Sequence, residues 1–224
     1  MFAKQKRLSI EGKPAGSKVV TVRMSEACKN ALKMIGEVLR SHSGVCPMVQ
    51  RLGPCTRPSV YIWSDASSGR MDETEPPAGF GTICFAVGMR SVLGYARLFT
   101  AEERLQAEGP TNVSSPTLEM LGVKGSLQKW KEHCIQRRVV LGTDAEVTVK
   151  GYRSGFSDKV GFCRAIVDTM HLEIELRCYL RVYHLPRTRA PAGICDLLSR
   201  GKIQEARTLC LKTFGVPLKM ESSA

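Results

Sequence analysis

Val60-Tyr61-Ile62-Trp63-Ser64-Asp65-Ala66-Ser67 is the stretch on which the reading of this chain turns. Val60 to Trp63 are β-branched or aromatic, so they read as a short buried strand with Ser59 as the last loop residue before it. The strand runs into a carboxylate, Asp65. A polar insert with charged residues and prolines follows, from Ser67 to Pro77. Two further strand patterns come next, Gly81 to Val87 and Val92 to Phe99, joined by a turn around Gly88. Three successive strands with short connections predict an antiparallel meander.

Downstream, residues 101–113 are acidic and carry Gly109 and Pro110, which reads as a connection. Ser115-Pro116 then combines a capping hydroxyl with proline at the first helical position. That helix is expected to run to about Glu132, with Met120, Val123, Leu127 and Trp130 as an apolar stripe. Arg138 to Thr143 reads as a buried strand that ends at Asp144, followed by a helical stretch and a loop at Ser154–Ser157. Phe162, Ile166, Met170 and Ile174 predict another helix, which must give way within 172–178 to an alternating strand ending at His184-Leu185-Pro186. Pro191 to about Cys210 reads as one or two terminal helices. The order is βββαβαβα, an α/β class. Upstream, residues 1–20 read as a basic flexible arm. Ser25 caps a helix carrying Cys28, Leu32 and Ile35, and the prolines and glycine of 45–58 mark a linker.

Composition sets the class of partner. The chain holds 33 Lys+Arg against 21 Asp+Glu, a formal charge of +12, which favours polyanions through phosphate neutralisation. Its nine cysteines form no CxxC pair, which argues against a zinc ribbon and for free thiols in a reducing, intracellular compartment, cytoplasmic or nuclear. The N-terminus has no apolar signal region, and no apolar run is long enough for a membrane span. A P-loop and a YxDD-type polymerase aspartate pair are both absent from the sequence.

Four carboxylates stand in distinctive surroundings. Asp65 and Asp144 close hydrophobic strands, where functional crevices form when such strands are parallel neighbours. Glu119 lies in the first turns of a helix in Thr117-Leu118-Glu119, and Asp196 lies in Cys195-Asp196-Leu197-Leu198-Ser199-Arg200. Taken with Gly79-Phe80-Gly81 and His184-Leu185-Pro186-Arg187, these segments in this order resemble the RNase H domains attached to retroelement reverse transcriptases. DIRS-like and related elements carry the nearest look-alikes. The resemblance covers about Val60 to Arg200. The sequence departs from the pattern at Ala145 and Ala192, where asparagine is common, and in the length of the loop between His184 and Asp196.

The resemblance implies an RNase H-like fold with a central mixed five-stranded sheet flanked by helices. The domain organisation expected from it is an arm over 1–20, a helix and linker over 21–58 that would be the remnant of a polymerase connection, the RNase H-like domain over 59–210, and a tail over 211–224. It further implies a metal-dependent endonuclease that cleaves the RNA strand of RNA/DNA hybrids with two Mg²⁺ ions, Mn²⁺ being an alternative, held ~4 Å apart. On this resemblance Asp65 would bridge both ions, Glu119 and Asp144 would complete one site and Asp196 the other, and His184 would transfer a proton or assist product release. Lys150, Arg153, Lys159, Arg187, Arg189 and Arg200 would contact phosphates. Expected partners are an RNA/DNA hybrid or other nucleic acid and a reverse transcriptase polymerase domain, and no membrane. The competing readings are a catalytically silent or domesticated nucleic-acid-binding module, and a nuclease of the same superfamily acting on structured DNA.

Overall fold

The computed structural model of the protein describes residues 26, 29, 32–33, 59–68, 78–107 and 115–222. The expected arm over 1–20, the linker over 45–58 and most of the polar insert after Ser67 lie outside the described residues. The chain divides into two compact units, Met1–Glu37 and Val38–Ala224. In the first, Glu26, Lys29, Leu32 and Lys33 are helical and exposed, and Lys29 pairs with Glu26 at 2.9 Å.

The deciding stretch is strand β1 (Val60–Ser67), and it forms the meander expected of it with β2 (Gly79–Ala86) and β3 (Val92–Leu98). Both pairings are antiparallel, and Gly88 takes a positive φ of 93° in the turn that joins β2 to β3. β4 (Arg138–Thr143) pairs parallel with β1, and β5 (Tyr179–His184) pairs parallel with β4. A short strand β6 (Leu218–Met220) adds parallel to β3, giving a six-stranded sheet in the order β5-β4-β1-β2-β3-β6. The first five strands and their pairing are those of the expected RNase H-like fold. The sixth is an addition: part of the segment expected to be a tail, 211–224, is built into the sheet edge.

Each face of the sheet carries its own core, so the strands are apolar on both sides. On one face Val60, Ile62, Phe80 and Leu141 pack against α2 (Ser115–Lys129) through Leu118, Leu121 and Leu127, and against α5 (Val160–Glu175) through Phe162 and Ile166. On the other, Ile83, Val92 and Leu218 pack with Ile194 and Leu198 of α6 (Ala190–Ser199), and with Ala206 and Cys210 of α7 (Ile203–Phe214). Alternation along β2 feeds both, Phe80 and Cys84 to the first core and Ile83 to the second. The helix α2 is buried on more than the predicted stripe, since Thr117 to Val123 are all buried, and it is the central helix of the first layer. Trp130 follows it, 2% exposed, and donates its indole N–H to Thr82 Oγ1 at 3.1 Å. Cys84, Cys134, Cys178, Cys195 and Cys210 are buried, consistent with small core residues.

Two helices depart from the expected order. Residues expected to be a connection contain α1 (Ala101–Ala107). Thr100 and Glu103 form a reciprocal cap there: Glu103 N–H donates to Thr100 Oγ1 at 3.2 Å and Thr100 N–H donates to the Glu103 carboxylate at 2.8 Å. After α2 comes one further turn, α3 (Lys131–Cys134). Between β4 and β5 lie α4 (Glu146–Ser154) and α5, with Gly155 in the left-handed conformation ending α4. Buried Glu173 ties this crossover together, accepting from Tyr152 Oη at 2.6 Å and from Leu180 N–H at 3.0 Å. No helix among the described residues is long and apolar enough to cross a membrane.

Leu141 of β4 is fully buried, beside Ile62 in register. Leu141→Ala should therefore cost ~2–5 kcal/mol of unfolding free energy. Leu211→Ala, at a position 57% exposed, should change it by less than ~0.5 kcal/mol. Urea denaturation of the two variants measures both.

Candidate metal centre

Strand register brings the first two carboxylates together. β1 and β4 run parallel with Val60 opposite Val139 and Trp63 opposite Gly142. Two residues further on, the same offset sets Asp65 opposite Asp144, at the carboxyl ends of adjacent strands. The third comes from the helix across the first core. Glu119 lies in the second turn of α2, and the backbone N–H of Ala66 donates to its carboxylate. One ligand oxygen from each of Asp65, Glu119 and Asp144 lies within 4.8 Å of the others.

These carboxylates are held away from water. Asp65 is 3% exposed and Glu119 6%. Burial pushes the Asp65 carboxyl up to about 7, and the charges of Asp144 and Asp196 add to that against the opposing hydrogen bond from Ser199. Burial likewise pushes Glu119 well above the usual carboxylate range, with Asp65 and Asp144 as like-charged neighbours. Glu119 Oε2 is buried without a hydrogen-bond partner. A buried carboxylate oxygen left in that condition costs ~1–3 kcal/mol or more unless something binds it.

Helix α6 supplies the other side of the site. Ser199 Oγ donates to Asp65 Oδ2 at 2.8 Å. Asp196, Ser199 and Arg200 are spaced i, i+3 and i+4, which puts them on one helix face. The helix comes this close because Gly81, the β2 partner of Asp65, has no side chain. A Cβ there would lie 2.5 Å from the Cys195 carbonyl oxygen and from the Ser199 backbone nitrogen. Asp196 stands apart from the three convergent carboxylates. Its Oδ1 accepts from Arg200 Nε at 3.1 Å and Nη2 at 3.0 Å, while its charge still acts on Asp65.

The remaining expected residues fall in four places. Arg187 lies at the carboxylates: Nε donates to Asp144 Oδ2 at 2.8 Å, and Nη2 is 3.8 Å from Asp65 Oδ1. His184 is exposed at the end of β5, opposite Thr143, and its charge acts on Glu146 in the first turn of α4. Lys150 and Arg153 project from α4, Lys150 paired with Glu146 at 2.8 Å and Arg153 set over the Tyr183 ring at 5.8 Å. Lys159 and Arg189 are exposed at the N-caps of α5 and α6. Sequence reasoning assigned no role to Ser199, although its three-residue spacing from Asp196 was the signal for a shared face.

The donor set fits a hard divalent ion. Carboxylate oxygens are the ligands Mg²⁺ and Mn²⁺ take, and oxygens sharing one Mg²⁺ at ~2.1 Å lie ~3–4.2 Å apart. A spacing within 4.8 Å closes to that by small side-chain rotations. Asp65, Glu119 and Asp144 are the residues that could hold such an ion.

The carboxylates also set a pH dependence. Asp65 has a folded pKa raised to about 7 from 3.8, so between these values the folded protein binds more protons than the unfolded chain. Stability in chelator then falls as pH rises from about 4 to about 7. Asp65→Asn should remove the Asp65 share of that slope, leaving that of Glu119, and raise stability at pH 8 by ~2–4 kcal/mol, as the cost of the buried charge disappears. Thermal unfolding of both proteins across pH 4–8 in chelator reads the effect.

No protein-family model and no curated protein matches the chain. Among solved structures it is similar to the N-terminal RNase H domain of Rv2228c from Mycobacterium tuberculosis, at 16% identity over 68% of this chain and 98% of that one, with a TM-score of 0.47. RNase H1 from the halophilic archaeon Halobacterium salinarum is similar at 14% identity over 66% of this chain and 98% of that one, TM-score 0.46. The foamy viral protease-reverse transcriptase, solved in complex with an RNA/DNA hybrid, is similar at 13% identity over 67% of this chain and 20% of that one, TM-score 0.37. At these scores the likenesses carry no functional weight, and the fold class rests on the strand order and pairing of the chain itself.

Proposed function

We propose that the protein is a divalent-metal-dependent endonuclease of the RNase H type, acting on the RNA strand of an RNA/DNA hybrid as the RNase H part of a retroelement reverse transcriptase, of DIRS-like or related kind. The observation that carries this reading is the convergence of Asp65, Glu119 and Asp144 within 4.8 Å, with Glu119 Oε2 buried and unpartnered. The order of sequence motifs that supplied these residues supports the retroelement context.

In this reading each side chain has a distinct task. Asp65, fixed by the Ser199 hydroxyl, and Asp144, at the neighbouring strand end, present oxygens to one another at the carboxyl ends of β1 and β4. Glu119 closes the set from the helix side, held by the Ala66 N–H. Asp196 serves a second position. Bound Mg²⁺ or Mn²⁺ would supply Lewis-acid stabilisation of the scissile phosphate and a water of lowered pKa. His184, exposed at the end of β5, would transfer a proton or assist product release. Lys150, Arg153, Lys159 and Arg189 are exposed cations on α4 and at helix N-caps. They would hold the hybrid by its phosphates, and the +12 net charge would make that binding salt-dependent. A polymerase domain joined to this one would deliver the hybrid.

Incubating the protein with an end-labelled RNA/DNA hybrid and Mg²⁺ or Mn²⁺ tests the proposal. Wild type should cut the RNA strand, and chelator should abolish cutting. Asp65→Asn and Glu119→Gln should each lose roughly 10³-fold or more, the loss of several kcal/mol of charge stabilisation at the transition state. Hybrid binding without cleavage by wild type would instead mark the chain as a silent binding module. Undiminished cleavage by Asp65→Asn would displace the active site from these residues.

A further inference from the structure

Arg187 makes contacts that the phosphate-binding role expected of it does not explain. Its Nε–H donates to Asp144 Oδ2 at 2.8 Å, and its Nη2 stands 3.8 Å from Asp65 Oδ1. The guanidinium thus takes up carboxylate oxygens from two of the three residues that converge within 4.8 Å. A planar fork with fixed donors suits that position, and its charge is permanent at any working pH. The carboxylates it meets are shielded, with side-chain exposures of 4% for Asp65 and 13% for Asp144, whereas the Arg187 side chain is 62% exposed. The arginine therefore approaches from solvent and caps the cluster from outside.

The backbone that carries it is pinned on both sides. Leu185 N–H donates to the Thr143 carbonyl at 2.8 Å, next to Asp144, and Arg189 N–H donates to the Pro186 carbonyl at 2.8 Å across the turn. Arg187 sits between these bonds at the exposed tip, so its side chain can rotate away without the loop unfolding. The charges favour an exchange. One guanidinium faces the group of Asp65, Glu119 and Asp144, and Glu119 Oε2 has no hydrogen-bond partner at all. A divalent ion brings twice the charge and reaches that oxygen as well. A dication taken up by Asp144 would meet the like charge of the guanidinium at close range, and that repulsion opposes holding both at once.

We propose that Arg187 is a built-in competitor for the first divalent ion: it neutralises Asp65 and Asp144 when no ion is bound and must swing out for one to enter. This rests on the reading of Asp65, Glu119 and Asp144 as a metal centre, and extends it by assigning the residue that sets the ion concentration at which the centre fills. Arg187 is on this view a positioning residue that tunes affinity.

The test is Mn²⁺ binding to the chelator-treated full chain, followed by isothermal titration and by the loss of the free-Mn²⁺ electron paramagnetic resonance signal. Arg187→Ala and Arg187→Gln should each lower the Mn²⁺ dissociation constant about ten-fold relative to wild type. Both should also unfold at lower temperature than wild type in chelator and regain that difference in saturating Mn²⁺. Arg90→Ala removes the same charge from an exposed turn at the far end of β2, and should leave the dissociation constant within two-fold. Equal or weaker Mn²⁺ binding by both Arg187 variants, while wild type binds, overturns the competitor role and leaves the metal centre standing. If neither wild type nor the variants bind Mn²⁺ above the level of Asp65→Asn, the metal centre and the competitor role fall together.

Discussion

Mutual repulsion among buried carboxylates is the constraint around which this molecule is organised. Asp65, Glu119 and Asp144 present oxygens within 4.8 Å of one another, and the first two are nearly sealed from solvent. At that separation and an effective dielectric near 20, each ionised pair repels by about 3.5 kcal/mol. Neither strand pairing nor apolar packing relieves such a term. Relief comes from protons, from cations, or from both; burial is the first cause of the raised titration of Asp65 and Glu119, and the neighbouring carboxylates add to it. Arg187 and the Ser199 hydroxyl offset part of the cost from within the chain.

The fold holds the cluster together against that repulsion by attaching each member to a different rigid element. Asp65 is a residue of β1, flanked by β2 and β4, and cannot retreat without breaking the central pairing. Glu119 belongs to the most deeply packed helix, α2, whose neighbours Leu118, Met120 and Leu121 are each at most 1% exposed. α6 presses on β2 at Gly81 and brings Ser199 to Asp65. The two cores, one on each face of the sheet, thus hold the cluster from opposite sides. Asp196 and Arg200 share the α6 face with Ser199, so whatever moves the helix moves all three.

Much of this was legible in the sequence, and the parts that were not have physical reasons. β1, β4 and β5 announced themselves through apolar runs or alternation; β4 ends just before Asp144 and β5 at His184 as read, whereas β1 continues past Asp65 to Ser67. The helix α1 was missed, although Thr100 and Glu103 carry the capping-box spacing, because the Gly109-Pro110 pair downstream dominated the reading of the whole segment. β6 has three residues, too few to show a period, and exists because β3 offers it an open edge. The departure at Arg187 is of another kind. Sequence gives its charge and its place after the histidine, but only the turn geometry reveals that it faces carboxylates. Such reach is a property of the assembled sheet ends and has no periodicity to read.

Two buried glutamates of this chain differ in how far the fold satisfies them. Glu173 is as buried as Glu119, at 5% against 6% exposed. Glu173 is satisfied by the fold: one oxygen accepts from Tyr152 Oη and the other from Leu180 N–H, so it braces α4, α5 and β5. Glu119 has the Ala66 N–H and an oxygen with no partner, beside two like charges. The same chain that completes the hydrogen bonds of one buried glutamate leaves the other incomplete, so the shortfall is not a general looseness of packing. Buried polar atoms are paired in nearly every folded protein, and exceptions concentrate where a site gives up stability for chemistry. Glu119 is such an exception at the point where the strand ends converge, and a hard cation reaching Oε2 is the partner its surroundings would complete.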